Sequence, residues 1–306
     1  MSYHIVSIDS PQCSISCRDG QLTCSVPGEA KPRTLPLEDI ASIIITSFSA
    51  QLHSHLFLEA AKHGVALIIC ESFKPVSLVL PANRSTDSIL SRALLKLTPQ
   101  GRHTLWMKTV DAKCQNQVSL AEHIAPDDQR ITAMRNTAFG KKPHKEAIVA
   151  KAFWQILGRA LDDDEFIRER SRGGMNDLLN YGYAVLLSTI LQKLFGVGLD
   201  PTFGISHVAR ERCTPLAYDL MEPFRPCVDW RVYQWVRKNG KKGLEVTKEY
   251  RAWVTGFAIE KVEYMDFNLE IQGCIEGVVR GFRRSIVENQ PRYYKPWTPK
   301  NSKWAG

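Results

Sequence analysis

Two carboxylates lie close together in an apolar stretch of the chain, Pro215 to Asp229, which reads PLAYDLMEPFRPCVD. Asp219 and Glu222 are three residues apart, so a helix places them on the same side, one turn from each other. Acidic side chains are seldom buried unless they are paired or bind a metal. The preceding segment GLDPTFGISH ends at His207, whose imidazole could join one of these carboxylates on a metal ion.

A third ligand has to come from another part of the chain, and Glu146 is the candidate. It lies near the start of a predicted helix that follows Pro143, a residue favoured in the first turn. Glu146, Ala150 and either Phe153 or Trp154 share one face of that helix, which predicts that Glu146 points inwards. One histidine and two carboxylates suit Mn²⁺ or Mg²⁺ in hydrolysis or phosphoryl transfer.

The residues alone leave a second interpretation open. His207 could be a hydrogen-bonded core histidine, and Glu146 could be an ordinary acid in the first turn of a helix, where the dipole favours it. Asp219 or Glu222 could be an ion-pair partner of Arg225.

The elements that would position these residues fall into two regions. Through about residue 80, alternating runs such as HIVSI and IASIIITS predict strands, whereas the later pattern has helical spacing. The sequence therefore predicts an α+β protein with a small β-rich, β-sandwich-like domain at residues 1–78, a linker at 79–90, and a larger all-α domain at 91–306. The stretch 75–85, which overlaps this linker, contains two prolines and a polar end. Within the second region, MNDLLNYGYAVLLSTILQKLFG is apolar around most of its circumference and predicts a central helix at 175–196.

Charge is divided unevenly between the two regions. Residues 1–80 contain five Lys or Arg and seven Asp or Glu, a net −2, while the remainder contains 35 basic and 25 acidic residues, a net +10. A basic second region favours a polyanionic partner, most simply nucleic acid. The chain has no run of 18 apolar residues, no secretory signal and no Cys-x-x-Cys pair among its eight cysteines. These features predict a cytoplasmic protein with reduced thiols and no membrane segment.

Three strings in this order resemble the signature blocks of the CRISPR-associated protein 1 family, the integrase of prokaryotic adaptive immunity: NDLLNYGYAVLL, GLDPTFGISH and PLAYDLMEPFRPCVD. The resemblance is strongest over residues 140–232. It implies that Glu146, His207 and Glu222 are catalytic and hold Mg²⁺ or Mn²⁺, and that Asp219 orients a ligand or a basic side chain. Glutamate rather than aspartate at position 222 resembles the branch found with single-protein RNA-guided effectors, although KPHKEA differs from the Asn-Arg-Glu-Gly wording of that branch.

The resemblance also implies a reaction and a set of partners. The 3′-hydroxyl of a short captured DNA duplex would attack a phosphodiester at the edge of a CRISPR repeat. The N-terminal domain would form a homodimer, and two such dimers would flank a dimer of CRISPR-associated protein 2, with other adaptation proteins or the effector nuclease as possible partners. Two alternatives remain: a structure-selective, metal-dependent DNA endonuclease that does not integrate, and a non-catalytic DNA-binding scaffold.

DNA contacts are expected from basic and aromatic residues around these motifs. Tyr181 could stack on a frayed terminal base, since every base offers a face for stacking. The tail at about 290–306, which contains Trp297 and Trp304, is expected to be extended, with DNA or partner contacts competing with disorder. The basic residues predicted to contact DNA are Lys141, Lys142, Lys145, Arg210, Arg212 and Arg225.

Overall fold

A computed structural model describes residues 4–71, 73–79, 88–207, 214–299 and 304. The described residues of its N-terminal part form eight strands and one α-helix. In chain order these are β1 (His4–Ile8), β2 (Ser14–Arg18), β3 (Gln21–Ser25), β4 (Arg33–Pro36), β5 (Ile40–Ile45), β6 (Gln51–Leu52), α1 (Ser54–Lys62), β7 (Ala66–Glu71) and β8 (Lys74–Val79). One sheet has the order β1-β5-β7-β8 and the other β4-β3-β2-β6, which confirms the predicted sandwich-like domain.

The first sheet joins the two regions because its two faces belong to different cores. Ile43 and Ile45 pack in the N-terminal core, whereas Ile44 between them packs with the helical core. Successive side chains of a strand point to opposite faces, so an unbroken apolar run such as Ile43 to Ile45 is what a sheet covered on both sides requires.

The second region is mostly helical, as predicted. Its helices are α2 (Ser88–Lys96), α3 (Pro99–Ile124), α4 (Arg130–Phe139), α5 (Lys145–Ala160), α6 (Met175–Gly196), α7 (Pro215–Met221), α8 (Arg225–Asn239), α9 (Lys248–Thr255) and α10 (Ile271–Val287). Helix α6 has the predicted bounds and is buried on nearly all sides. A short 3₁₀ helix, Glu222–Phe224, joins α7 directly to α8.

Helix α3 begins where the sequence signals a start. The hydroxyl of Thr98 accepts a hydrogen bond from the backbone N–H of Gly101, and Pro99 occupies the first turn. Helix α2 begins at Ser88, inside the predicted linker at 79–90, and β8 extends to Val79; residues 80–87 lie outside the described ranges.

Two details of the helical region differ from the prediction. A hairpin of β9 (Lys261–Tyr264) and β10 (Phe267–Glu270) interrupts the all-α region. Its two-residue turn, Met265 and Asp266, has positive φ at both positions but contains no glycine, so the usual sequence signal for a hairpin is missing.

The tail is the second difference, because its aromatic side chains are buried. Tyr294 is fully buried, and Trp297 and Trp304 are 1% and 9% exposed. The Trp297 ring stacks on Phe224 with centroids 5.9 Å apart, and the Trp304 indole donates to Ser119 on α3 at 3.1 Å. The prediction of an extended tail available to DNA is therefore wrong for these tryptophans, since their apolar area is covered by the protein itself.

We expect Trp297→Ala to lower the free energy of unfolding by about 3 to 5 kcal/mol, because the substitution removes a large buried side chain and leaves a cavity. Urea unfolding followed by circular dichroism measures this. The matched control is Phe267→Ala, whose side chain is 67% exposed and whose loss should change stability by about 0.5 kcal/mol or less. Equal effects of the two substitutions would contradict the packed tail.

Neither a disulfide nor a membrane span is present in the described part of the chain. The seven described cysteines are free, which agrees with the predicted thiols, and Cys213 lies outside the described residues. None of the described helices combines the length and hydropathy that crossing a bilayer requires.

Candidate active site

A hydrogen bond joins helix α3 to the loop that precedes His207. Nη1 of Arg102 on α3 donates to the carbonyl of Gly204 at 2.7 Å. A Cβ atom at Gly204 would collide with the carbonyl of His207 and lie 3.1 Å from Oδ2 of Asp219, so the loop can approach Asp219 only with glycine at this position. Trp106, one turn further along α3, meets the His207 ring edge to face at 5.8 Å.

Asp219 holds the His207 loop through both carboxylate oxygens. Oδ2 accepts the backbone N–H groups of Ile205 at 2.7 Å and Ser206 at 3.1 Å, and Oδ1 accepts the backbone N–H of His207 at 3.1 Å. Oδ1 also lies 2.7 Å from Nδ1 of the His207 ring. This pairing fixes the ring and leaves Nε2 as its candidate ligand atom. Asp219 therefore makes the contact that its predicted orienting role requires.

We expect Asp219→Asn to weaken Mn²⁺ binding by about 10- to 100-fold, the usual cost of removing the partner of a histidine ligand. Asparagine offers one acceptor oxygen where Asp219 uses two, so an amide N–H₂ would face a backbone N–H donor. Calorimetric titration with Mn²⁺ measures the affinity. Asp164→Asn, at a side chain 75% exposed, is the control, and an Asp219→Asn affinity within twofold of the parent's would contradict the orienting role.

Glu146 and Glu222 both contact one lysine, Lys113 of α3. Its Nζ lies 2.6 Å from Oε1 of Glu146, at the start of α5, and 2.6 Å from Oε2 of Glu222, in the 3₁₀ helix between α7 and α8. Glu146 is partly exposed and Glu222 is 3% exposed. Three distant segments thus meet at the Lys113 ammonium.

Glu222 has a second cationic partner, Arg225, whose Nε donates to Oε1 at 2.8 Å. Burial alone would raise the pKa of Glu222, but the charges of Arg225 and Lys113 lower it to about 2. Glu222 is therefore an ionised carboxylate at neutral pH.

A cavity of about 300 Å³ brings the three predicted ligands together, since Glu146, His207 and Glu222 all line it. This volume is at the lower end for ligand pockets. The carboxylate and imidazole donors suit Mg²⁺ or Mn²⁺. As placed, no three acidic, histidine or cysteine side chains among the described residues form a coordination sphere, and the two glutamates share the Lys113 ammonium instead. Their assignment as metal ligands stays a prediction.

Tyr183 and Asp229 form a buried pair on the same cavity wall. The Tyr183 hydroxyl donates to Oδ1 of Asp229 at 2.5 Å. Burial raises the pKa of Asp229 to about 7, although Tyr183 and Arg225 act in the opposite direction. The Arg225 guanidinium lies over the Tyr183 ring at 4.6 Å, so this pair supports the arginine that holds Glu222.

The residues predicted to contact DNA differ in how exposed they are. Lys141 and Lys142 are exposed before α5, and Arg210 and Arg212 lie outside the described residues. Arg225 lines the cavity rather than the outer surface, because it pairs with Glu222.

Two of those predictions are corrected. Lys145 is 8% exposed, and its Nζ lies 2.5 Å from Asp111 and donates to the carbonyls of Ala138 and Gly140, so it secures the start of α5. Tyr181 is fully buried against Phe73 and Tyr250, which leaves its ring no face for a base.

Sequence reasoning missed the cationic wall of the cavity. Lys113, Arg168 and Arg170 line it together with Arg225. Arg168 donates to the side chains of Asn176 and Asn180, at 2.9 Å in both cases. Both asparagines belong to the conspicuous NDLLNYGY string, whose buried amides on an otherwise apolar helix were a usable signal that a polar partner had to meet them.

Comparison with known proteins identifies relatives over most of the chain. A family model described as CRISPR associated protein Cas1 matches residues 6–255. CRISPR-associated endonuclease Cas1 of Neisseria meningitidis serogroup C (strain 8013) is 27% identical over 286 residues, covering 92% of this chain and 91% of the relative. CRISPR-associated endonuclease Cas1 1 of Moorella thermoacetica is 55% identical over a shorter span of 51 residues, which covers 17% of this chain and 15% of the relative.

Solved structures share the fold. A casposase bound to integration product has a TM-score of 0.79 at 20% identity, covering 99% of this chain and 95% of that one. A CAS1 protein from Thermotoga maritima has a TM-score of 0.75 at 16% identity, covering 93% of this chain and 97% of that one. A chain of a Cas6-RT-Cas1–Cas2 complex has a TM-score of 0.77 at 14% identity. The match covers 96% of this chain and 36% of that chain.

Proposed function

Since this chain belongs to the CRISPR associated protein Cas1 family, we propose that it is a metal-dependent DNA endonuclease and integrase of CRISPR adaptation. Its reaction joins the 3′-hydroxyl ends of short captured DNA to a CRISPR repeat by transesterification. The observation that carries this proposal is the cavity in which Glu146, His207 and Glu222 lie beside Lys113, Arg168 and Arg225. Acidic and imidazole ligands beside cations are what phosphodiester chemistry needs.

Each residue has a distinct task in this proposal. Glu146, Glu222 and Nε2 of His207 would hold Mg²⁺ or Mn²⁺, which when bound supplies positive charge for an oxygen nucleophile and for the phosphate. Asp219 keeps the His207 ring oriented through its contact with Nδ1. Arginine guanidinium groups on the cavity wall attract and orient the phosphate by paired N–H donors.

The exposed lysines before α5 extend the basic surface beyond the cavity. Lys141 and Lys142 are exposed in the segment that leads to Glu146, so DNA bound in the cavity would run past them. Contacts of this kind fix the position of the backbone and carry no sequence information.

The proposed partners are double-stranded DNA, a second copy of this chain and a Cas2-type protein. Two structural neighbours, a casposase with its integration product and a complex that contains Cas1 and Cas2, support the DNA and Cas2 partners. Joining both ends of a captured fragment requires two active sites at a fixed separation, which favours a symmetric assembly of two homodimers around a Cas2 dimer.

The test uses purified protein, a labelled short duplex and a supercoiled plasmid that carries a CRISPR repeat, with Mn²⁺ or with EDTA and with or without a Cas2-type partner. Labelled duplex joined to the plasmid in a Mn²⁺-dependent way supports the proposal. Plasmid cleavage without joining in every arm would support an endonuclease that does not integrate. DNA binding with no chemistry in any arm would overturn the enzymatic assignment and favour a scaffold.

A further inference from the structure

The ammonium group of Lys113 lies where two predicted metal ligands meet. Nζ is 2.6 Å from Oε1 of Glu146 and 2.6 Å from Oε2 of Glu222, and the lysine side chain is 13% exposed. Burial would lower the pKa of Lys113, but the charges of Glu222 and Glu146 raise it, so the group is a cation. The Lys113 ammonium thus lies between the two carboxylates, where a metal ion bound to both of them would also have to lie.

A divalent ion bound to the same two oxygens would compete with this ammonium. Mg²⁺ lies about 2.0 to 2.1 Å from its oxygen ligands. An ammonium that stayed in contact with both carboxylates would then lie within a few ångströms of the ion, and like charges at such distances repel strongly where water is scarce. Metal binding therefore requires Lys113 to move.

The cavity provides a second position for the ammonium. Gln117 and Asp229 both line the same cavity. Oε1 of Gln117 and Oδ2 of Asp229 are buried and have no hydrogen-bond partner among the described residues. Buried acceptors without a partner are rare in native proteins and need an explanation. Gln117 follows Lys113 by one turn of α3, and the lysine stem is flexible and carries three donors, so Nζ can reach that side of the cavity.

We propose that Lys113 is a positioning residue with two positions. In the first, its ammonium bridges Glu146 and Glu222 and holds the two carboxylates together. In the second, it has moved to Gln117 and Asp229, and the two carboxylates are free to bind the divalent ion. This inference rests on the proposed function, because it requires the glutamates to be metal ligands.

The first test is the affinity for Mn²⁺ of the full chain after removal of bound metals with EDTA, measured by calorimetry in the absence of DNA. Lys113→Met removes the competing charge and keeps the length of the side chain, so it should bind Mn²⁺ about tenfold more tightly than the parent. The control is Lys108→Met on the same helix, whose ammonium donates to the carbonyls of Pro291 and Tyr294 and whose loss should leave the affinity unchanged.

The second test removes Oε1 of Gln117, one of the acceptors proposed to bind the displaced Lys113 ammonium. Gln117→Leu should weaken Mn²⁺ binding several-fold in the parent, because the displaced ammonium loses a partner, and should have no effect in the Lys113→Met background. Such a difference between backgrounds is the coupling that a double-mutant cycle detects. If Lys113→Met does not fold, Gln117→Leu alone decides: weaker binding supports the two positions, and unchanged binding overturns them.

The outcomes separate this inference from the proposed function. Lys113→Met that binds Mn²⁺ equally or more weakly than the parent would overturn the competing role of Lys113, provided that the parent binds Mn²⁺ through His207. If the parent protein binds no Mn²⁺, or if His207→Ala binds Mn²⁺ as tightly as the parent does, the metal site itself is wrong and this inference fails with it.

Discussion

Replacing His207 with alanine is expected to lower the rate of Mn²⁺-dependent DNA cleavage or joining by about 100- to 1,000-fold, the size of effect seen when a preorganised group that stabilises the transition state is removed. The ring is a candidate ligand whose orientation is set by Asp219, Trp106 and Tyr218. The assay measures the initial rate at saturating Mn²⁺ and DNA.

The His207 substitution is informative because it should leave the fold intact. The side chain is 27% exposed, and Asp219 keeps three backbone N–H donors when the ring is removed. Urea unfolding should therefore show a loss of about 1 kcal/mol or less. His103→Ala, at an exposed histidine on α3, is the control. Parent-like catalysis by His207→Ala would sink the proposed site.

Glu222→Gln is expected to abolish metal-dependent activity and also to lower the free energy of unfolding by about 3 to 5 kcal/mol, the cost of breaking a buried ion pair. The substitution keeps the shape of the side chain but leaves the buried Arg225 without its anionic partner. Glu288→Gln is the control, since Glu288 pairs with Arg284 at the surface and such pairs contribute about 0 to 1 kcal/mol. Equal stability losses in the two variants would contradict the buried pair.

The stability loss from Glu222→Gln should depend on pH. The pKa of Glu222 falls from an ordinary value of 4.5 to about 2 in the folded protein, so the unfolded chain binds this proton more tightly. The stabilisation by the Glu222 charge is therefore complete above about pH 4.5 and is lost as the pH falls towards 2, an effect of about 3 kcal/mol. Unfolding curves of parent and variant should converge over this window, and a constant difference would contradict the assignment.

Local patterns in the sequence were sufficient for most of the fold, whereas the acidic side of the site also required the resemblance to a known family. Helix α6 was predicted with its observed bounds because apolar residues cover most of its circumference and Gly196, Gly198 and Pro201 mark its end. His207, Asp219 and Glu222 were candidates because they lie in or beside short apolar strings, and the resemblance to family signature blocks then selected His207 and Glu222, with Glu146, as the predicted ligands.

The cationic side of the site depends on contacts between distant segments. Lys113 lies in the middle of α3, in the polar string KTVDAKCQNQ, and nothing in that string marks the one lysine that meets two glutamates 33 and 109 residues further on. The tail was misjudged for a related reason. PRYYKPWTPK has the prolines and lysines of a disordered segment, whereas the burial of Trp297 depends on a surface that only the folded helices provide.

The packed tail also bears on when the site can form during synthesis. Nδ2 of Asn116 on α3 donates to the carbonyl of Pro223, beside Glu222, and to the carbonyl of Trp297. The turn that carries Glu222 thus shares a buried anchor with Trp297, which is synthesised 75 residues after Glu222. A chain interrupted before Trp297 would lack this support for Glu222, so we expect incomplete translation products to have a poorly formed site.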